Sequence, residues 1–221
     1  MKRVRFDTPE ALSEAAAALL IKQFERASET PNAIMLAGGK TPLAAYAKVA
    51  ASGARAHGNA CAFFSDERMV PIDSPESNYT AALPMLGALE IPSSRIIRVR
   101  PDEPLDTAAE MYAAEIKDFL DHGGRIPFGL LGLGTDGHTA SLFSAADVER
   151  GRDRYAIPVK RTSGPDRVSV TPMLQRKVER IIFLLSGADK ADILKKLLQS
   201  PRKVPAGLAI AGQDGIEIWQ G

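Results

Sequence analysis

The stretch Gly132-Leu133-Gly134-Thr135-Asp136-Gly137-His138-Thr139 sets an aspartate two residues before a histidine, among three glycines. Neutral imidazole is the side chain best matched to take a proton from water near neutral pH, and a nearby carboxylate can orient it. The glycines let the backbone pass close to a ligand. The chain has 3 histidines; the other two, His57 and His122, sit in glycine-flanked loops and read as surface residues. A second group is Asp66-Glu67-Arg68, three adjacent charges followed by a long polar loop to Ser77-Asn78. On its own this is a solvated turn. In a site, Arg68 supplies a planar cation for a developing oxyanion, with Asp66 and Glu67 holding it.

Anion chemistry is concentrated in Leu36-Ala37-Gly38-Gly39-Lys40-Thr41-Pro42. Gly38 and Gly39 allow close backbone approach, Thr41 can cap the helix that follows, and free amides at a helix start suit phosphate. Lys40 adds charge. A plain strand-to-helix turn with a solvated lysine explains the same residues equally well. Arg167, opening the run Arg167–Val170, and Lys190, at a helix start where a lysine opposes the dipole, are two further cations that an anion would explain. Arg161 competes with Arg167 for the arginine role.

Several chemistries lack their residues. The glycine spacing is not that of a Walker loop, and no dinucleotide fingerprint follows the first strand. Ser141 lacks the G-x-S-x-G context of a hydrolase elbow. One histidine with scattered carboxylates gives no zinc spacing, so no metal and no cofactor are expected. A single cysteine, Cys61, excludes an internal disulfide. Net charge is +1, so no overall field draws nucleic acid or an anionic membrane. Charged residues make up 25% and hydrophobic residues 45% of 221, an ordinary globular balance for one domain, residues 1–221. The N-terminal segment lacks a signal-peptide pattern and no run is long enough to span a bilayer, so a cytoplasmic protein is expected.

Apolar runs alternating with helix-forming segments supply the frame. Strands are expected at 32–39, 60–67, 94–100, 128–134 and 180–187, and around a polar loop at 154–171. Helices are expected from Pro9 to about Ser28, at 41–52, at 77–89 broken near Pro84, at 104–124 and at 188–199; a short one is placed at 172–178 and final strands in 205–221. This pattern predicts an α/β fold, a mostly parallel central sheet with helices on both faces. In such sheets ligands bind beyond the carboxyl ends of the strands, where the polar clusters fall.

In order, "LAGGKTP", "SDERMVP" with "SNY", "LLGLGTDGHTASLF", "RVSVTP" and "SGADKADIL" resemble the 6-phosphogluconolactonase family over residues 36–194. The resemblance implies the sugar-isomerase-like fold shared with glucosamine-6-phosphate deaminases. It also implies hydrolysis of 6-phospho-D-glucono-1,5-lactone, a small phosphosugar partner, by a monomer or weak homodimer. It makes His138 the base that activates water, with Asp136 beside it, and turns Arg68 to the lactone carbonyl. Gly38, Gly39, Lys40 and Thr41 would cradle the phosphate, Arg167 and Lys190 would complete its site, and Asp66 would stand beside the substrate. Two positions depart from the family: Ser144 replaces a proline and Lys40 replaces a serine or threonine.

Two rivals remain. Amino-sugar phosphate deaminases of the same fold follow their Asp-Gly-His with a segment containing Asn-Glu-Pro, whereas this chain has "TASLFSAAD", with no glutamate there. A sugar-phosphate sensor would need a DNA-binding module, and the first 30 residues offer one helix and no basic recognition surface.

Overall fold

The computed structural model describes all residues, Met1–Gly221. The strands are β1 (Lys2–Arg5), β2 (Asn32–Leu36), β3 (Ala60–Phe64), β4 (Asp66–Arg68), β5 (Ile96–Ile97), β6 (Arg125–Leu131), β7 (Ala156–Val159), β8 (Arg167–Val170), β9 (Ile181–Leu185) and β10 (Ile216–Gln220). The helices are α1 (Pro9–Phe24), α2 (Lys40–Ala51), α3 (Asn78–Ala88), α4 (Leu105–Asp121), α5 (Ala145–Arg150), α6 (Pro172–Gln175), α7 (Ala191–Gln199) and α8 (Pro205–Ala209). Seven strands form one sheet in the order β1-β10-β9-β6-β2-β3-β5. Every pair in it is parallel.

Strands β2, β3 and β9 are buried along their length and send alternate side chains to opposite faces. Ala33 and Met35 point to one core, with Ala108, Tyr112 and Ile116 of α4 and Ile193 and Leu197 of α7. Ile34 and Leu36 point to the other, with Leu12 and Leu20 of α1, Tyr46 and Val49 of α2 and Met85 of α3. Helices therefore cover both faces, as the sequence predicts. Thr8 caps α1 by accepting from the Ala11 amide, and Pro9 fills its first position.

From β2 the chain steps through β3 to β5 at one edge, then returns to β6 beside β2 and steps through β9 to β10 toward the other, where β1 forms the outer strand. The reversal leaves a crevice between β2 and β6 at their carboxyl ends, the place where doubly wound sheets bind ligands.

Some expectations are corrected. The expected strand 60–67 breaks at Ser65, and Asp66–Arg68 form β4, an edge of a separate three-stranded antiparallel sheet β4-β8-β7. Charge hides this strand because pairing with β8, distant in sequence, makes it. The helix over Asn78–Ala88 is not broken at Pro84; that residue lies on the exposed side, where a missing backbone bond meets solvent. Residues 205–209 are helix rather than strand. The run 94–100 pairs only at Ile96–Ile97, as the sheet's edge.

Candidate active site

Four adjacent strands, β9, β6, β2 and β3, deliver their carboxyl ends to one cleft of about 250 Å³. Among the residues singled out in the sequence, Gly38 and Gly39 after β2, Asp66 and Arg68 after β3, Gly132, Gly134 and His138 after β6, and Lys190 after β9 line it. Asp136 stands behind His138. Its Oδ1 lies 2.5 Å from the imidazole Nδ1 and 3.1 Å from the His138 backbone N–H, which donates to it. Partial burial pushes the Asp136 carboxyl up, but the bonds and charge offered by His138 outweigh this and hold it below the usual carboxylate value. An ionised carboxylate only accepts, so Nδ1 carries a proton, and in the neutral imidazole Nε2 is the nitrogen with the lone pair. Gly134 makes room for the pair, because a Cβ there would fall 2.2 Å from Nδ1 and 2.5 Å from the Asp136 oxygen. Gly137, at φ 91°, turns the chain between them.

Arg68 is held differently from expectation. Neither Asp66 nor Glu67 grips its guanidinium; instead Nη1 donates to the Glu76 carbonyl. Glu67 is turned to the start of α3, where its carboxylate accepts from the backbone N–H of Asn78 and Tyr79 at 2.8 Å each and from the Ser77 hydroxyl at 3.2 Å. It also accepts from the Arg68 amide at 2.8 Å. Burial pushes the Glu67 carboxyl up and these amides pull it back, leaving it above its ordinary value. Asp66, on the cleft floor, accepts from Ser141 Oγ at 2.7 Å and Ser65 Oγ at 3.0 Å.

Arg68 Nε and Arg167 Nη1 are buried without any partner, and Arg167 faces Arg68 across the β4–β8 ladder. Burial first, then the neighbouring Arg68 charge, depress Arg167 from the usual guanidinium value. Two like charges with orphaned donors are a standing demand for an anion. Arg167 itself does not line the cleft, nor do Lys40 and Thr41. Lys40 is exposed, and Thr41 is the second residue of α2 rather than its cap. The cap is Gly39, at φ 100° and ψ 164°, with no side chain bonded to the helix start. Gly187 repeats this turn at φ 101° and ψ 145° before Lys190, so two helix starts with uncapped amides flank the cleft. Of the Gly38–Thr41 turn, the two glycines line the cleft and Lys40 and Thr41 do not.

Gly38 is needed for another reason than ligand access: a Cβ there would lie 2.0 Å from Asn78 Oδ1. Asn78 lines the cleft and donates to the Asp66 carbonyl at 2.8 Å. The sequence marks it only as a helix start, since nothing local shows that it reaches back over β4. Tyr46 and Tyr112 are likewise missed. Each hydroxyl satisfies both backbone groups of a residue where the strands splay: Tyr46 bonds Ala37 N and O at 3.0 and 2.8 Å, and Tyr112 bonds Phe64 N and O at 2.9 and 2.5 Å. Burial raises both phenols well above their ordinary range. His57 and His122 lie before β3 and β6, at the opposite end of the sheet; His122 is exposed and His57 half-buried. No three His, Cys, Asp or Glu side chains come together in a group able to hold a metal.

The family model described as glucosamine-6-phosphate isomerases/6-phosphogluconolactonase matches residues 7–219. A human 6-phosphogluconolactonase is 35% identical over 153 residues, 66% of this chain and 59% of that protein. The match thus spans about three fifths of the human relative. A 6-phosphogluconolactonase of Haemophilus influenzae is 32% identical over 195 residues, 86% of this chain and 84% of that one. Among solved structures, a 6-phosphogluconolactonase from Trypanosoma cruzi superposes with a TM-score of 0.82 at 25% identity, covering 99% of this chain and 94% of that one.

Proposed function

The chain belongs to the glucosamine-6-phosphate isomerase/6-phosphogluconolactonase family, and on that premise we propose that it hydrolyses 6-phospho-D-glucono-1,5-lactone to 6-phospho-D-gluconate, a step of the oxidative pentose phosphate pathway. The observation that carries this reading is the Asp136–His138 pair in the cleft. His138 Nε2 takes a proton from water as the oxygen attacks the lactone carbonyl. The carbonyl electrons move to its oxygen, where Arg68 and backbone amides stabilise the charge. Collapse expels the ring oxygen, which receives the proton held on His138. Ester cleavage by this route asks for no metal and no cofactor.

The uncapped amides at Gly39 and Gly187, with Lys190 at the cleft wall, hold the phosphate, and Arg167, beside Arg68 and outside the cleft lining, adds its positive charge. One chain supplies every group named, which supports action as a monomer or weak homodimer. No helix is long and apolar enough to cross a membrane, and the net charge of +1 offers nucleic acid no attraction; both support a cytoplasmic enzyme of small metabolites.

The segment after His138 supports the lactonase over the deaminase. It has no glutamate between Thr139 and Asp147, where ring opening of an amino sugar would call for one. The deciding experiment supplies fresh lactone and, separately, glucosamine 6-phosphate. Acid release is followed at short times above spontaneous hydrolysis, and ammonia release is followed from the amino sugar. Turnover of the lactone alone is expected. Ammonia release would assign the deaminase, and binding of either without turnover would assign a sensor.

A further inference from the structure

Asp136 fixes one nitrogen of His138 but not the plane of its ring, since the terminal torsion of histidine is broad. The side chain is 30% exposed, and Gly134 packs against its Nδ1 edge. Phe143 confines its plane. Its ring centroid lies 4.5 Å from that of the imidazole, tilted 44°. The Arg161 guanidinium carbon lies 3.6 Å from the Phe143 centroid, within the range of a cation–π contact. That guanidinium makes no ion pair or hydrogen bond within the protein, so the phenyl face is its partner.

Both outer members are anchored. The Phe143 backbone N–H donates to Asp147 Oδ2 at 3.2 Å, part of the capping box in which Ser144 starts α5. The Arg161 backbone N–H donates to Asp166 Oδ1 at 2.7 Å, one residue before β8.

We propose that Phe143, clamped by Arg161, is a positioning residue that sets the plane of the His138 imidazole and so aims Nε2 into the cleft. The kinetic consequence rests on the lactonase reading; the structural consequence does not. Arg161 is thereby assigned to the base rather than to the phosphate.

The test compares Phe143→Leu, Phe143→Tyr, Arg161→Gln and Arg161→Lys with wild type by proton NMR of the His138 ring and by steady-state kinetics. Loss of the phenyl ring current should move the His138 ring protons downfield in Phe143→Leu, and Arg161→Gln should move them part of the way. Misaiming a base costs rate, not affinity. Phe143→Leu should therefore lose on the order of tenfold or more in kcat, with KM little changed. Phe143→Tyr should keep most of the activity, and Arg161→Lys should recover part of what Arg161→Gln loses.

Unchanged His138 ring signals in a folded Phe143→Leu would overturn the proposal. So would a raised KM at constant kcat in Arg161→Gln, which would place Arg161 on the phosphate. Should Phe143→Leu fail to fold, the two Arg161 variants, altered on a half-exposed side chain, decide alone. Should wild type leave the lactone untouched, the functional reading fails while the NMR comparison still tests the clamp.

Discussion

In the proposed reaction His138 is the base and Asp136 occupies its other nitrogen, and that division of labour sets what substitutions should do. His138→Asn keeps size and polarity but cannot take the proton. It should lower kcat by about a hundred- to ten-thousandfold, with circular dichroism and product binding unchanged. The wild-type rate should fall in acid, where imidazole carries protons on both nitrogens and cannot accept. Asp136 adds a second acid dependence. Its folded value is depressed, so as pH falls the unfolded chain takes up the proton first. The stabilisation it brings is complete above the ordinary aspartate value of about 4 and is lost as pH falls through the lower folded value. Thermal melts of wild type and Asp136→Asn should therefore converge in strong acid and separate at neutral pH. Arg68 belongs to the same scale. An oxyanion donor is worth about 3 kcal/mol, so Arg68→Ala should cost roughly a hundredfold in kcat. Arg68→Lys should recover only part of it, because a lysine lacks the planar fork that can serve two acceptors at once, the Glu76 carbonyl and the lactone oxygen of the proposed reaction. Full activity in Arg68→Lys would show that charge alone suffices.

Between residues and fold lie the elements that hold them, and the 69–77 loop shows how. It leaves β4, and Glu67 ties its far end to the start of α3 through two backbone amides and Ser77. Glu67→Gln would turn an amide N–H toward donors that need an acceptor. Leaving such groups buried and unpaired costs about 1–3 kcal/mol, so the variant's melting temperature should drop. Arg68 should lose order as well, because its guanidinium rests on Glu76 of that loop. An unchanged melt would show that the clasp is dispensable. Helices α1–α4, α6 and α7 and six of the seven parallel strands were legible because their signals are local: apolar runs, Thr8 and Pro9, and glycines that stop α4; β1, α5 and α8 were not read as such. The Asp136–His138 corner was legible because its two chemistries stand two residues apart. What stayed hidden is long-range. Asp66–Arg68 reads as a charged turn until β8 pairs with it, and Glu67 reads as a prop for Arg68 until α3 is placed above it. Thr41 looks like a cap until Gly39, with its positive φ, takes that place.

At the scale of the molecule, the site exists only in the folded chain. Its groups come from the ends of β2, β3, β6 and β9, so the unfolded chain cannot bind what they bind. A ligand held there must stabilise the whole protein by mass action. At a hundred times its Kd, the gain is about 2.7 kcal/mol. For a chain of this size each kcal/mol shifts Tm by about 2–4 °C. 6-Phosphogluconate, the product of the proposed reaction, should thus raise Tm by roughly 5–10 °C at that saturation. Gluconate at the same concentration, lacking the phosphate, should raise it little, and gluconolactone should be a poor substrate. Arg167→Ala removes one of the two orphaned guanidinium donors. It should shrink the shift and raise KM, whereas Arg202→Ala, on the exposed turn before α8, should do neither. Equal shifts from gluconate and 6-phosphogluconate would mean that the orphaned donors answer to some other anion. Equal effects of the two arginine variants would move the phosphate away from β8.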